Sequence, residues 1–306
     1  MKSFSLADMH CDTPFELFCR SQSFRSNDLA VSADKANQYN SFFQVSAVWS
    51  DKKFNDDAAY AKSLDVIDYF KSDIENNIDT SFFIDHQNTK IKFVLSIEDA
   101  RILGGDITRL YNLYDKGIRI ITPLWGGSTC IGGAFDTNIG LTDFGESVIE
   151  ASIELGIIPD ISHASERSAY DMFEICDDKI PIIASHSDSY SIFPHKRNLT
   201  DEQFESIKRS GGVVGINLYT EHLGYDNNRS AIDQVITHIE HYLGLGGEDT
   251  VCFGCDFDGA TTPPELSDIS SLFTIAEKMS LLNYSDTLIE KIFYLNAKNF
   301  IIKNIK

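Results

Sequence analysis

Short apolar runs alternate along the chain with longer stretches in which apolar residues recur at every third or fourth position. The short runs are typical of strands buried in a parallel sheet, and the longer stretches are typical of amphipathic helices. Their regular alternation predicts repeated βα units. Eight runs are expected to form strands, at residues 5–9, 42–49, 91–96, 118–124, 157–161, 180–184, 212–218 and 251–255.

The stretches between the runs carry helix signals. Apolar residues at steps of three and four between Tyr60 and Ile74 predict one helix face. A capping box formed by Thr200 and Gln203 should start another helix, and Gly211 should stop it. Two further helices are bracketed in the same way, by Asp106 with Gly117 and by Thr142 with Gly156.

Eight βα units in succession predict an α/β fold of the (β/α)8 TIM barrel type. No low-complexity linker divides the sequence, so the 306 residues are expected to form one domain, residues 1–306. Two helices, at 271–282 and 286–303, should follow the last strand.

Composition and charge narrow the range of partners. The chain is 42% hydrophobic and 24% charged, as globular proteins are, and its formal net charge is -20. That charge repels phosphate backbones and anionic lipids, so neither nucleic acid nor a membrane is an expected partner. No apolar stretch suits a signal segment or a membrane span, and a cytoplasmic location is therefore expected.

Six cysteines are scattered through the chain without the density of a disulfide-stapled secreted domain, so free thiols are expected. Cys252 and Cys255 have C-x-x-C spacing. Residues three apart in a strand face opposite ways, which argues against a metal or redox pair there.

The candidate chemistry collects at the ends of the predicted strands, where a barrel of this kind forms its active site. Three histidines and three carboxylates follow five of the runs: His10, Asp12, Glu98, His163, His186 and Asp256. Imidazole and carboxylate are ligands of hydrolytic zinc and related divalent ions. His10 and Asp12 are two residues apart in an extended segment, so their side chains can point to the same side and bind one ion. His163 and His186 can hold a second, and Glu98 can bridge the pair.

Each of these residues also has an ordinary structural explanation. A single histidine after a strand is more often a loop or core residue than a ligand, and a single acidic residue there commonly caps the next helix. Joint placement on five strand ends is what favours a metal site. The remaining histidines are expected to have structural roles, and they are His86, His195, His222, His238 and His241.

Seven short motifs occur in order along the chain: DMHCD at 8–12, SIE at 96–98, GLTDFG at 140–145, DISH at 160–163, ASHS at 184–187, RNLTD at 197–201 and GCDFDG at 254–259. Together they resemble the membrane dipeptidase family, peptidase family M19 of the amidohydrolase superfamily, over nearly the whole chain. The resemblance implies a barrel of the metallo-dependent hydrolase type and a zinc-dependent dipeptidase.

The resemblance also implies a ligand set for two Zn²⁺ ions that share a bridging hydroxide. One ion would be held by His10, Asp12 and Glu98, and the other by Glu98, His163 and His186. This grouping agrees with the one read from the strand ends.

Roles toward the substrate follow from the same resemblance. Asp256 would act with Glu98 as a catalytic residue, orienting the hydroxide and passing its proton to the leaving amine. Arg197 would pair with the terminal carboxylate of a dipeptide, and Asp258 is a further substrate-binding candidate. A D-residue at the C-terminal position of the substrate is one option, and assembly as a homodimer is left open.

One position departs from the family pattern. After the fourth strand the family usually has a histidine that contacts the substrate carbonyl, and Trp125 stands there. This leaves the metals in place but makes Trp125 a substrate-binding candidate with its own specificity. Other branches of the superfamily are disfavoured, because no lysine follows the fourth strand and the opening motif is H-x-D rather than H-x-H.

Two other functions stay open. One is a hydrolase of the same metal chemistry that acts on another small carboxylate-bearing amide, which the departure at Trp125 favours. The other is a non-catalytic barrel that keeps its metals and binds a small peptide or a partner. The presence of Asp256 argues against the second, because binding alone does not require a proton-transfer residue.

Overall fold

The barrel strands lie close to where the apolar runs predict them. The computed structural model describes residues 4–226 and 228–306, and within them the strands are β1 (Leu6–Cys11), β2 (Phe42–Val48), β3 (Thr80–Phe82), β4 (Ile91–Glu98), β5 (Ile118–Thr122), β6 (Ile158–Pro159), β7 (Val214–Ile216) and β8 (Val251–Phe253). They form one parallel sheet in the order β6-β5-β4-β2-β1-β8-β7. The sequence pattern did not predict β3, which pairs with β4 outside this path.

The sheet closes into a barrel at residues 183 and 184. Ile183 forms a parallel bridge with Asp160 beside β6, and Ala184 forms one with Val214 of β7. The two bridges fill the eighth barrel position, so the predicted α/β barrel is confirmed. The predicted strand at 180–184 is shorter than expected because Pro181 lacks the N–H that a strand ladder needs.

Helices lie between the strands, as βα units require. Within the described residues they are α1 (Thr13–Arg20), α2 (Ala33–Ala36), α3 (Asp56–Glu75), α4 (Thr108–Asp115), α5 (Asp143–Leu155), α6 (Glu166–Cys176), α7 (Asp201–Ser210), α8 (Thr220–Leu223), α9 (Ala231–Gly244), α10 (Phe273–Leu281), α11 (Asp286–Glu290) and α12 (Asn296–Asn304). A π-helical turn, Lys291–Leu295, joins the last two. Among these helices, none combines the length and the hydrophobicity that a membrane span needs.

Two of the three predicted pairs of helix caps are present, whereas α4 has Ile107 and Lys116 at its cap positions in place of Asp106 and Gly117. The side chains of Thr142 and Thr200 accept hydrogen bonds from the first turns of α5 and α7, and Gln203 completes the capping box. Gly156 and Gly211 end the same two helices in the left-handed conformation that glycine tolerates best. Local sequence therefore fixes where these helices start and stop.

Two apolar layers stabilise the barrel. One fills its interior and takes Ala7 and Met9 from β1, whereas the larger layer, which includes Leu6, lies between strands and helices. Cys252 belongs to the interior layer and Cys255 to the outer one. The two thiols therefore face opposite ways, as their spacing predicts, and all six cysteines are free.

The final helix covers one end of the barrel. Phe300 and Ile301 of α12 pack in the interior layer, and the carbonyl of Lys306 accepts a hydrogen bond of 3.0 Å from Arg119 near the start of β5. Since the strands are parallel, this is the end at which they begin. Their carboxyl ends all lie at the opposite end, where the polar residues collect.

Candidate metal centre

Six polar side chains meet at the carboxyl ends of the barrel strands. β1 carries His10 and β4 ends at Glu98, while the other four stand within four residues after a strand end: Asp12, His163, His186 and Asp256. His10, Glu98 and His186 are each 3% exposed or less. The structure therefore brings together the residues that the strand-end pattern predicts.

Glu98 lies at the middle of this cluster. Its Oε2 is 3.7 Å from Nε2 of His10, and its Oε1 is 3.0 Å from Nε2 of His163 and 3.6 Å from Nε2 of His186. Burial opposes ionisation, but the positive charges that His10 and His163 can carry beside it hold the pKa of Glu98 below its ordinary value. Each carboxylate oxygen thus faces a different set of imidazoles, which suits a ligand shared by two cations.

A second group forms around His10. Its Nε2 is 3.5 Å from Oδ2 of Asp12 and 3.8 Å from Oδ1 of Asp256. Nε2 of His10 and Oδ1 of Asp12 are buried, and neither has a hydrogen-bond partner in the described part of the chain. Burial and the nearby charge of Glu98 raise the pKa of Asp12 to about 7. Crowded, unpaired nitrogen and oxygen donors of this kind fit a divalent cation.

Backbone and side-chain contacts aim the imidazoles inward. Nδ1 of His163 donates to the carbonyl of Trp125 at 3.0 Å, because a carbonyl can only accept. Nδ1 of His186 contacts Oγ of Ser185 at 2.7 Å, and that hydroxyl donates to Asp160. In both rings the free lone pair is therefore on Nε2. The two Nε2 atoms are 2.9 Å apart. Such outer contacts are the usual way in which metal-binding histidines are oriented.

The backbone is unusual at two of these positions. His163 has φ of 68° and Asp256 has φ of 60°, in the left-handed region that residues other than glycine seldom adopt. Asp256 is further held by Asn217, whose Nδ2 donates to its Oδ2 at 3.2 Å. Backbone in a sparsely populated region is often found at functional sites.

A cavity of about 380 Å³ lies over the cluster. Four residues of the cluster contribute to it: Asp12, Glu98, His163 and Asp256. The rest of its wall consists of five aromatic rings, of Phe15, Trp49, Trp125, Tyr219 and His222, together with Glu16 and the loop 258–261. A more open cavity of about 440 Å³ lies beside it, across the 258–261 loop, and contains none of the six clustered side chains. The smaller cavity is therefore the candidate substrate site.

Trp125 is part of the cavity wall and does not fold away into the helix layer. Its ring centroid is 5.3 Å from that of Trp49 and 6.2 Å from that of His163. The ring of Phe15 meets Trp49 edge-on at 5.2 Å. Both tryptophans of the chain thus line the same cavity. Trp49 is a site residue that the sequence analysis missed, although it directly follows β2.

Arg197 lies beside the metal cluster with an unpaired charge. It is 4% exposed, its Nη2 donates to the carbonyl of His186 at 3.4 Å, and its guanidinium stacks 5.9 Å from the ring of Phe135. Within the described residues its Nε has no hydrogen-bond partner and its guanidinium forms no ion pair. Burial lowers the pKa of Arg197, because the charged guanidinium is removed from water. A buried cation without a partner destabilises the folded protein. Its surroundings suit an anion that arrives with a ligand.

Asp258 contacts protein groups with both of its oxygens. Oδ2 accepts from Oγ1 of Thr13 at 2.6 Å, and Oδ1 accepts from the backbone N–H of Ala30 at 2.7 Å. These bonds tie the loop after β8 to α1 and to the loop before α2. Asp258 still contributes to the cavity wall, and its role in substrate binding stays a prediction.

Two of the other histidines have structural partners, and a third lines the cavity. His238 accepts from the backbone N–H of Ser189 at 3.1 Å and donates to the carbonyl of Leu223, and His241 pairs with Asp201 at 2.8 Å, so both have structural partners. His222 differs, because it lines the cavity. It stands six residues beyond β7, too far from the strand end for the strand-end pattern to mark it.

Comparison with known proteins identifies the family of this chain. The family model described as Membrane dipeptidase (Peptidase family M19) matches residues 1–302. An uncharacterized protein of Klebsiella pneumoniae is 31% identical over 226 residues, which are 70% of this chain and 82% of that protein. An uncharacterized dipeptidase of Schizosaccharomyces pombe is 31% identical over 220 residues, which are 69% of this chain but only 52% of that protein, so the chain spans about half of it.

Solved structures show the same fold. The dipeptidase AC, a metallo peptidase of family M19, has a TM-score of 0.90 at 23% identity and is covered over 99% of both chains. A metallo peptidase from Rhodobacter sphaeroides, liganded with a phosphinate mimic of the dipeptide L-Ala-D-Ala, has a TM-score of 0.88 at 23% identity over 99% of this chain and 100% of that one. Because the family model spans nearly the whole sequence, the chain belongs to the membrane dipeptidase family, peptidase family M19, and is a metal-dependent dipeptidase.

Proposed function

We propose that the protein hydrolyses small dipeptides at a centre of two zinc ions. His10, Asp12 and Glu98 would hold one ion, and Glu98, His163 and His186 would hold the other. The observation that carries this proposal is the carboxylate of Glu98, which presents one oxygen to His10 and the other to the remaining two histidines. When bound, two such ions would supply an activated water and polarise the scissile carbonyl.

Asp256 is the group that would move the proton. Its Oδ1 faces the cluster at 3.8 Å from His10, and Asn217 holds its other oxygen. A carboxylate fixed in this way can accept a proton from the attacking water and give it to the leaving amine, which is general base and then general acid catalysis by one residue.

The two halves of the substrate are expected to face opposite walls. Arg197 lies in the loop after residues 183–184, and Trp49 follows β2, four places away in a barrel of eight positions. The unpaired guanidinium suits the terminal carboxylate, because a fork of N–H donors matches two oxygens. The amino-terminal residue of the dipeptide would then lie against the tryptophans.

A D-residue at the carboxylate end is part of the proposal. The Rhodobacter sphaeroides relative has been solved with a mimic of L-Ala-D-Ala, a ligand of that stereochemistry. The aromatic wall at Trp49 and Trp125 also favours a second candidate, the hydrolysis of N-acyl amino acids, since an acyl group could stack where a dipeptide places its first residue. The cytoplasmic location and a homodimer stay predictions.

A substrate panel tests the proposal. Protein reconstituted with Zn²⁺ should hydrolyse L,D or L,L dipeptides with small side chains, and Asp256→Asn should lower kcat by roughly 100-fold or more, the scale of general acid–base catalysis. Turnover of N-acyl amino acids alone would select the second candidate. If neither class is hydrolysed while zinc is bound, the proposed function is wrong.

A further inference from the structure

His222 stands in the cavity wall without a hydrogen bond from its ring. It lies on the short helix α8, is 8% exposed, and packs against the rings of His195 and Tyr219 at 4.7 Å and 4.6 Å. Its Nδ1 is buried and has no partner, and its Nε2 likewise makes no hydrogen bond within the described residues. Ring packing alone therefore positions an imidazole whose polar atoms are unused.

The ring is neutral and offers one N–H. Burial and the nearby charges of Arg197 and His195 lower the pKa of His222, so it carries no charge at neutral pH. A neutral imidazole has one donor and one acceptor nitrogen. A buried N–H without an acceptor costs about 1 to 3 kcal/mol, so the proton avoids the enclosed Nδ1 and sits on Nε2. The edge that can reach a ligand in the cavity is therefore a hydrogen-bond donor.

His222 is tied to the loop that carries Arg197. The backbone N–H of Arg197 donates to Nδ1 of His195 at 3.2 Å, and the His195 ring stacks on His222. The next residue, Asn198, donates from its side chain to the carbonyl of His222 at 2.8 Å. The loop that carries the guanidinium is thus tied to α8, and two unpartnered donor groups, one on Arg197 and one on His222, occur on one side of the metal cluster.

We infer that His222 donates a hydrogen bond from Nε2 to the terminal carboxylate of the substrate, beside Arg197. This inference rests on the proposed function, in that the ligand is a small carboxylate-bearing amide. A carboxylate has about four lone-pair sites and a guanidinium fork uses two of them, so one more donor can be accommodated. His222 then contributes to substrate specificity, because a ligand without the carboxylate leaves the donors of Arg197 and His222 unpaired.

A matched pair of variants tests the assignment. His222→Leu removes the donor and keeps the bulk, whereas His222→Gln places an amide N–H near the position of Nε2. For a free dipeptide, His222→Leu should lower kcat/KM by roughly 10- to 100-fold, mainly through KM, as loss of a hydrogen bond to a charged group predicts. The C-terminal amide of the same dipeptide should change less than about threefold, and His222→Gln should recover most of the loss.

The control is His241→Leu, at a partly exposed histidine of α9 that pairs with Asp201 of α7, and it should leave kcat/KM for both substrates unchanged. Equal losses on the free and the amidated dipeptide, or no loss on either, would overturn the inference. Failure of His222→Gln to recover activity in a protein with unchanged circular dichroism would also count against it.

A binding measurement separates this inference from the proposed function. Calorimetry on the zinc-loaded protein would compare a phosphinate mimic of L-Ala-D-Ala with its C-terminal methyl ester. His222→Leu should raise Kd for the acid by roughly 10-fold or more and leave Kd for the ester unchanged. That result would stand even if no dipeptide were hydrolysed. If the wild-type protein does not prefer the acid over the ester, His222 has no carboxylate to bind and the inference fails.

Discussion

The α-carbon of Gly259 lies against the carboxylate of Asp12, so closely that a β-carbon at position 259 would overlap Oδ2. The same β-carbon would come within 3.1 Å of Oδ1 of Asp256. The glycine is needed here for space rather than for an unusual φ. It allows the loop after β8 to fold back over the end of β1, where the N–H of Asp12 donates to the carbonyl of Phe257 at 2.9 Å.

Gly259→Ala should therefore damage the metal centre. The new methyl group must push Asp12 or Asp256 away from His10, and we expect metal affinity and kcat/KM to fall by roughly 10- to 100-fold, as when a supporting contact of a metal ligand is lost. Elemental analysis after dialysis and steady-state kinetics measure the two effects. Gly244→Ala is the matched control, because a β-carbon there meets no atom within 4 Å. If Gly259→Ala kept its full metal content, the loop after β8 would have moved to make room for the methyl group, and the prediction would be wrong.

Glu98 should decide how many ions bind. If its two oxygens serve two cations, Glu98→Ala removes a ligand from both sites and one negative charge from a buried pair of cations. The wild-type protein should bind about two equivalents of Zn²⁺ by elemental analysis, and the variant should bind fewer than one and lose activity. Glu146→Gln, in the first turn of α5, is the control for loss of one carboxylate elsewhere. An active Glu98→Ala protein with two ions would refute the shared-ligand assignment.

Arg197 should affect only substrates that carry a carboxylate. Arg197→Leu removes the unpaired guanidinium, and kcat/KM for a free dipeptide should fall by roughly 10- to 1000-fold while its amide loses much less. Because Arg197 and His222 are inferred to bind one group, the double variant should lose less than the product of the two single losses. Multiplicative losses would mean that the two side chains act on separate parts of the substrate.

Much of this site is visible in the sequence because it depends on short-range features. A buried parallel strand is an apolar run, and its carboxyl end is the next polar residue, so His10, Glu98 and His186 can be placed without a structure. Trp49 was missed because the predicted strand at 42–49 included it, whereas β2 ends one residue earlier, at Val48.

His222 could not have been found in this way. It reaches the cavity through α8 and through ring contacts with His195, 27 residues earlier in the chain by their numbering, and no local pattern encodes that contact.

His238 should make stability depend on pH. Burial lowers its pKa from 6.5 to about 4, although its hydrogen bond to the carbonyl of Leu223 acts the other way. Between these two values the unfolded chain binds a proton that the folded chain does not, so stability is full above pH 6.5 and is lost as the pH falls towards 4. One group with these pKa values costs about 2 kcal/mol by pH 5.

Urea unfolding of the wild type and of His238→Gln at pH 7.5 and pH 5 measures this effect. The variant should be less stable at pH 7.5, because it loses hydrogen bonds, but its free energy of unfolding should fall by about 2 kcal/mol less on acidification. An unchanged slope in His238→Gln would assign the acid sensitivity to other groups.

Trp125 should set which side chains the cavity accepts. It stands against Trp49 and beside His163, so aromatic rings fill this corner of the cavity, and Nζ of Lys52 lies 4.7 Å from the Trp125 ring centroid. We expect the wild-type protein to prefer small or flat substrates. Trp125→Ala opens this corner, and kcat/KM for a bulky dipeptide should rise relative to a small one by roughly 10-fold or more, since each methylene in a pocket is worth about 1 to 3 kcal/mol.

Trp125→His tests a different property of the same position, namely whether a hydrogen-bond donor is missing. An imidazole there could donate to the oxyanion that develops on the carbonyl, and one such donor is commonly worth about 2.7 to 4 kcal/mol, so kcat on standard dipeptides should rise, by at most roughly 1000-fold. Tyr111→Phe, at an exposed ring on α4, is the control and should change neither the rate nor the substrate ranking. If Trp125→Ala and Trp125→His both match the parent in rate and in ranking on small and bulky dipeptides, the ring only packs and specificity lies elsewhere in the wall.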